Sequence, residues 1–373
     1  MRKLILVAGA RPNFMKIAPL MHALKGHDSI QTILVHTGQH YDVKMSQQFF
    51  DELQIPEPDI NLEVGSASHA VQTAKIMTRF EQVCMDEKPD AVLVVGDVNS
   101  TAACTLVASK MGIKCIHYEA GLRSRDRSMP EEINRLVTDA ISDIFITTSY
   151  DADENLLREG VAQDQIHMFG NLMIDSLVSN LKKAEATKLS FKLLNTDKDI
   201  QLNRDFISEK YAAITFHRPN NVDYPSTLEK LFVELAKISQ YIPLIFPIHP
   251  RTYKNLQEFN LLHLLDNCPN LFLIEPLGYL QFIHLVSQSM FVLTDSGGIQ
   301  EETTYLNIPC LTVRPSTERP VTITEGSNKL ITIEAISDEV EMILGGKAKS
   351  GNVPKFWDGN TAERIVNLLE EIL

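Results

Sequence analysis

Short continuous apolar runs alternate along this chain with longer stretches in which apolar positions recur every third or fourth residue. The first pattern belongs to strands buried on both faces of a parallel sheet, the second to amphipathic helices. Lys3 to Gly9 reads as the first strand, and Phe14 to Leu24 as a helix, with Pro12 where a first helical turn tolerates it. Strands come next at Thr32 to His36, Ala91 to Val95, Cys115 to Tyr118 and Ile144 to Thr147. Helices fall at Ala70 to Met85, Ala102 to Met111, around Glu131 to Ile141, and from Asp151. From about Ser176 to Lys210 the pattern fades into polar sequence, read as a connecting helix plus linker. It restarts with strands Ala212 to Phe216, Leu244 to Ile248, Leu271 to Ile274, Phe291 to Thr294 and Cys310 to Val313. Helices Leu228 to Gln240, Leu280 to Gln288 and Ile299 to Leu306 lie between them, and Trp357 to Leu373 is a final amphipathic helix. Such alternation predicts an α/β chain of two doubly wound, Rossmann-like domains. The expected boundaries are 1–175, with the helix at about 357–373 packing back on it, a linker at 176–210, and a second domain at 211–356.

Length and composition agree with two soluble domains. The chain has 373 residues, 44% hydrophobic and 22% charged. A net charge of −13 argues against a nucleic-acid or anionic-membrane surface, so an anionic ligand needs a local basic pocket. Cys84, Cys104, Cys115, Cys268 and Cys310 form no CxxC pair and read as reduced thiols of a cytoplasmic protein. The apolar run after Met1 ends at Arg11-Pro12, which favours a first buried strand over a signal peptide. No run approaches the ~20 apolar residues of a membrane helix.

Ligands of open α/β sheets bind beyond the carboxyl ends of the strands. The residues just past those ends are polar and chemically able: Arg11 and Lys16; Gln39 and His40; Asp97; Glu119; His217 and Arg218; His249 and Arg251; Asp295 and Ser296; Arg314, Glu318 and Arg319. The stretch Asp295-Ser296-Gly297-Gly298 joins a strand to a helix start, where unpaired N–H groups and the helix dipole attract anions. Its glycines admit a phosphate to the backbone, and Glu301 or Glu302, one turn on, suits a sugar diol. The implied ligand is a nucleotide. Arg11, Lys16, His217 and Ser296 suit its diphosphate, while Asp97, Glu119 and Glu131 suit acid and base roles. No GxGxxG comes after a strand and no metal-ligand spacing is present, so neither NAD nor a metal cofactor is expected.

These residues carry a resemblance. Gly9-Ala10-Arg11-Pro12-Asn13-Phe14-Met15-Lys16, Thr37-Gly38-Gln39-His40, Gly96-Asp97, His117-Tyr118-Glu119-Ala120-Gly121-Leu122-Arg123, Pro130-Glu131-Glu132-Ile133-Asn134-Arg135, His217-Arg218-Pro219, Ile248-His249-Pro250, Asp295 to Glu302 and Thr317-Glu318-Arg319-Pro320 resemble the non-hydrolysing UDP-N-acetylglucosamine 2-epimerases. The match runs nearly end to end. It implies a glycosyltransferase-B-like fold with the active site in the interdomain cleft, a homodimer, and interconversion of UDP-GlcNAc and UDP-ManNAc through 2-acetamidoglucal. It also implies no cofactor and a role in supplying ManNAc-type sugars for cell-surface polysaccharide. Carried over by position, the catalytic groups are Asp97, Glu119, Glu131 and His217. The substrate-binding groups are Arg11, Lys16, Arg135, Tyr279, Phe282, Ser296, Gly297, Gly298, Glu302 and Arg319. A second, activating UDP-GlcNAc site would involve Gln39, His40, Gln47, Arg218 and His249. Ala10, Asn13 and the Pro-Asn after Arg218 depart from the pattern of many members, which leaves the exact UDP-sugar open. The alternatives are a hydrolysing relative releasing ManNAc and UDP, an epimerase of a related UDP-sugar, a UDP-sugar glycosyltransferase and a nucleotide-sugar sensor.

Overall fold

The first strand, β1 (Arg2–Ala8), is buried without a break from Leu4 to Ala8, as a strand covered on both faces must be. The computed structural model describes residues 1–38, 53–194, 199–201 and 210–373. The chain divides into two units, Met1–Ser179 with Lys355–Leu373, and Asn180–Pro354.

In the first unit β1 leads to α1 (Arg11–Leu24), β2 (Ile30–His36), β3 (Ile60–Asn61), α2 (His69–Glu87), β4 (Ala91–Val95), α3 (Asn99–Lys110) and β5 (Lys114–Tyr118). Then come α4 (Pro130–Ile141), β6 (Ile144–Thr147), α5 (Tyr150–Arg158), β7 (Ile166–Met168) and α6 (Leu172–Ala186). The sheet order is β3-β2-β1-β4-β5-β6-β7, with parallel pairing throughout. Successive connections run outward from β1 on one side and from β4 on the other. The gap between the loops after β1 and β4 is therefore this sheet's switch point, where ligands of doubly wound folds bind. Ile5, Val7, Val35, Phe80, Val92, Val94 and Cys104 fill one of the layers beside the sheet.

The second unit holds an antiparallel pair, β8 (Ser190–Lys192) and β9 (Asp199–Gln201), and a parallel sheet. The sheet's elements are β10 (Ala212–Thr215), α7 (Pro219–Val222), α8 (Pro225–Ile238), β11 (Leu244–Pro247), α9 (Pro250–Glu258), β12 (Leu271–Ile274) and α10 (Tyr279–Ser287). They continue as β13 (Phe291–Thr294), α11 (Gly297–Leu306), β14 (Cys310–Val313), α12 (Val321–Thr324), β15 (Asn328–Ile331) and α13 (Ile336–Leu344). The order β12-β11-β10-β13-β14-β15 repeats the doubly wound plan, with the switch point between β10 and β13. The chain ends in α14 (Thr361–Ile372), which packs on α1 of the first unit, with Glu370 bonded to His27 and Ser29. Among the described residues no helix is long and apolar enough to cross a membrane.

Three sequence expectations are corrected. The stretch 176–210 is not simply a linker: Leu189, Phe191 and Leu193 are buried against Tyr211, Ile274 and Leu285, so its few apolar residues join the second core. The last helix starts at Thr361; the indole N–H of buried Trp357 donates to Thr148 O at 2.8 Å, and Gly359 turns the chain at φ +81° before the helix begins. β3, β7, β15, α9 and α13 were not anticipated. β3, β7 and β15 are short edge strands, and α9 buries little beyond Thr252 and Leu256, so neither pattern stands out from loop sequence.

Candidate functional site

At the first unit's switch point the chain leaves β1 through Gly9 and Ala10. The Asn13 side-chain oxygen accepts from both of their N–H groups, at 3.0 and 2.9 Å, and its amide donates to Val95 O at 3.0 Å. Asn13 thus ties the β1 loop to the end of β4. One turn along α1, Lys16 Nζ donates to Glu119 Oε2, with both side chains buried. Glu119 stands just after β5 in the left-handed region, at φ 71°. A non-glycine residue held there costs on the order of 1–3 kcal/mol, and such strain concentrates at functional sites. Gly96, at φ +71°, closes over the pair: a Cβ on it would stand 3.3 Å from Glu119 Oε2 and 3.4 Å from Asn13 Nδ2.

Two buried networks hold these loops. His117 Nδ1 and Asp139 Oδ1 are 2.6 Å apart, and His117 Nε2 donates to Gly96 O at 2.9 Å. The other Asp139 oxygen accepts from Gly121 N at 3.0 Å and pairs with Arg123 at 2.7 Å. Burial alone would push the Asp139 carboxyl up, but His117 and Arg123 hold it below its ordinary pKa. The second network centres on Arg135. Its guanidinium donates to Asp97 Oδ2, at 2.8 and 3.1 Å, and to Glu132. Glu132 also accepts from Ser124 N, Ser124 Oγ and Arg125 N. So Glu132 locks the 122–129 loop, while Glu131, half-buried beside it on the first turn of α4, forms no ion pair among the described residues. Of the expected groups of this unit, Lys16 is on α1 after β1, Asp97 and Glu119 are on the loops after β4 and β5, and Glu131 and Arg135 are on α4; Lys16 is paired with Glu119 and Arg135 with Asp97. Arg11 opens α1, and its side chain is not among those described; Gln39, His40 and Gln47 lie outside the described residues.

In the second unit the switch point is spanned by one side chain. Asp295, fully buried after β13, accepts from His217 N at 3.2 Å and Arg218 N at 2.9 Å on the loop after β10, and from Asn221 Nδ2 at 3.1 Å on α7. Its Oδ1 lies 3.1 Å from His217 Nδ1. Burial would raise this carboxyl, yet His217 and the N–H donors hold its pKa below the ordinary value. His217 itself is 42% exposed, its ring 5.7 Å from that of His249. His249 accepts from Arg251 N and caps α9, and burial, then the positive charge near it, lowers its pKa. Ser296, Gly297 and Gly298 start α11 beside Asp295; Ser296 makes no side-chain cap bond, and the helix's first N–H groups point out of this turn. Gly297 admits Arg319: a Cβ there would lie 2.8 Å from Arg319 Nη1. Within α11, Glu302 is buried and bonded to Tyr279, the first residue of α10; burial and neighbouring Glu301 push its pKa up to about 8. Phe282 packs against the core beside α10. The arrangement offers an anion site at a helix start, with a histidine and a carboxyl on either side of it.

Asn13, His117, Glu132 and Asp139 were not picked out as site residues from sequence, and Asp295 was noted past its strand without a role. The available signal was charge or amide at positions where the strand and helix periodicity required burial, as for Asp139 on α4.

Comparison with known proteins fits these features. A sequence profile of the UDP-N-acetylglucosamine 2-epimerase family matches residues 22–370. A UDP-N-acetylglucosamine 2-epimerase of Methanococcus maripaludis is 42% identical over 373 residues, covering 99% of this chain and 98% of that protein. A UDP-2,3-diacetamido-2,3-dideoxy-D-glucuronate 2-epimerase of Pseudomonas aeruginosa is 35% identical over 375 residues, covering 99% of this chain and all of that one. The crystal structure of the Methanocaldococcus jannaschii UDP-GlcNAc 2-epimerase in complex with UDP-GlcNAc and UDP superposes with a TM-score of 0.86 at 41% identity, over 99% of each chain. The chain belongs to the UDP-N-acetylglucosamine 2-epimerase family.

Proposed function

We propose that this protein interconverts UDP-GlcNAc and UDP-ManNAc without net hydrolysis. The observation that carries the reading is the division of chemistry between the two switch points. The first unit offers carboxylates on firmly held loops; the second offers a helix start, a histidine and arginines suited to a diphosphate. The reaction needs both. A carboxylate takes the C2 proton while the C1–O bond breaks, its electron pair leaving with UDP to give 2-acetamidoglucal. UDP oxygen then re-adds to C1, and a proton returns to the opposite face of C2.

In this reading Asp97, Glu119 and Glu131 share the proton transfers. His217, Arg11, Lys16, Arg319, Ser296, Gly297 and Gly298 stabilise the departing diphosphate, in the manner of preorganised donors aimed at developing charge. Asp295 orients His217 through Nδ1, leaving Nε2 for a phosphate oxygen. Glu302 receives the ribose hydroxyls, Tyr279 and Phe282 lie near uracil, and Arg135 holds Asp97. The enzyme works in the cytoplasm as a homodimer. Gln39, His40, Gln47, Arg218 and His249 belong to an activating UDP-GlcNAc site, so pure UDP-ManNAc should turn over after a lag that a trace of UDP-GlcNAc relieves.

Incubation with UDP-GlcNAc in deuterated water, with the products read by NMR, tests the main reading. Deuterium at C2 and appearance of UDP-ManNAc are expected. Free ManNAc as the main product would move the assignment to a hydrolysing enzyme, and absence of C2 exchange would remove epimerisation. The Pseudomonas relative's name favours a second reading, a related diacetamido uronic acid as the sugar. Faster C2 exchange with that UDP-sugar than with UDP-GlcNAc would select it.

A further inference from the structure

Behind the turn at Gly297 lies an ion cluster larger than a structural pair requires. Arg314, Glu318 and Arg319 occupy the loop after β14, with side chains 5%, 5% and 11% exposed. Both Glu318 oxygens are engaged: Oε1 accepts from Arg319 Nη1 at 2.5 Å, and Oε2 from Arg314 Nη2 at 2.8 Å. Arg218 Nη2 stands 3.9 Å from Oε1. Glu301, on α11, meets the other edge of Arg319, at 2.9 Å from Nε. Three guanidiniums thus converge on the single carboxylate of Glu318, with Glu301 beside Arg319 and Asp295 beside Arg218. Arg218 records the crowding: burial, then the charge of Arg314, lowers its pKa. Arg314 Nη1 is a buried donor with no acceptor among the described residues. Crowded guanidiniums and an unfilled donor, set against the first N–H groups of a helix, suit an anion.

We propose that Glu318 is a positioning residue for diphosphate binding, holding the Arg319 guanidinium across the Gly297 turn at the start of α11 with Arg314 bracing its second oxygen. The inference rests on the reading of Arg319 as a UDP ligand. An arginine side chain has many rotamers. Glu318 and Glu301 grip opposite edges of its fork, so the guanidinium is already placed when the ligand arrives, and binding does not have to order it. The close approach of Glu318 Oε1 to Gly297, where a Cβ would meet it at 3.0 Å, ties the clamp to the same turn. A side chain in place of the glycine would press on the ends of both Glu318 and Arg319 and shift them.

The test compares UDP and uridine binding, by calorimetry and ligand-observed NMR, in Glu318→Gln, in Arg319→Gln and in the charge-balanced double variant Glu318→Gln with Arg314→Met. Loss of a charge-assisted clamp should weaken UDP roughly tenfold or more in Glu318→Gln, with uridine affinity unchanged. Removing Arg314 as well relieves the buried charge imbalance and should restore thermal stability, but UDP affinity should stay low because Arg319 still lacks its holder. UDP affinity that recovers together with stability would reduce Glu318 to a structural role. If Arg319→Gln weakens UDP while both Glu318 variants bind it normally, the positioning role is overturned and the reading of Arg319 survives. UDP affinity unchanged in Arg319→Gln would remove the reading and the proposal together.

Discussion

Lys16 Nζ donates to Glu119 Oε2 with both side chains out of water, at the point where the loops after β1, β4 and β5 meet. A buried pair of this kind is weak evidence of net stability, but removing one partner leaves a charge in a low dielectric. Lys16→Met should therefore cost roughly 3–5 kcal/mol of unfolding free energy, measured by chemical denaturation. A loss under about 1 kcal/mol would mean that water or another cation reaches Glu119 once the lysine is gone.

Isosteric replacement of the carboxyls separates chemistry from binding. Asp97→Asn, Glu119→Gln and Glu131→Gln should each lower turnover about 10²–10⁴-fold, the usual contribution of general acid–base help. UDP affinity should change little in Asp97→Asn and Glu131→Gln; Glu119→Gln also alters the partner of Lys16, a diphosphate donor in this reading, so there the fall in turnover should exceed any change in UDP affinity. Near-normal turnover in one variant would clear that residue of proton transfer. Glu132→Gln provides the contrast: its carboxylate is engaged by Ser124, Arg125 and Arg135, so its loss should register first in thermal stability.

Asp295 makes stability depend on acid pH. Its folded pKa is depressed, so it contributes stability that is present above its unfolded value, near 3.9, and is lost as pH falls through the folded pKa. Asp295→Asn keeps the shape but cannot accept equally from His217, Arg218 and Asn221. The variant should be less stable than the parent at pH 7, and the gap should narrow below about pH 4. Melting curves at pH 7 and pH 3 decide this; a gap of constant size would show that the carboxylate's charge is not what holds the β10 loop.

Glu302 works in the opposite sense. Its folded pKa is raised to about 8, so the native state keeps a proton that the unfolded chain releases above about 4.5. Stability therefore falls as pH climbs from 4.5 toward 8. Glu302→Gln mimics the neutral form and should gain on the parent protein between pH 5 and pH 8.5, read from melting temperatures. A difference that stays constant across that range would show that Glu302 is not held protonated.

Local pattern alone sets the two doubly wound units and most of their strands, because buried parallel strands must be apolar end to end and the helices between them carry a visible stripe. It also points to the candidate site, since polar groups just past strands such as β1, β4, β5, β10 and β13 collect where this topology leaves its switch points. Lys16, Asp97, Glu119, His217 and Ser296 are legible for that reason. Partnership is a different matter and comes from the fold. Glu131 and Glu132 are adjacent and chemically alike, yet Glu132 is buried and locked by three residues while Glu131 is only half-buried, because a turn of about 100° per residue separates their directions. Asp295 reaches back to His217 across 78 positions, and Lys16 to Glu119 across 103. Glu318 draws in Arg314 and Arg319 from its own loop and Arg218 from another. Pairings at such separations depend on strand order and register, which local periodicity does not encode, and they decide which of several similar charges is free to do chemistry.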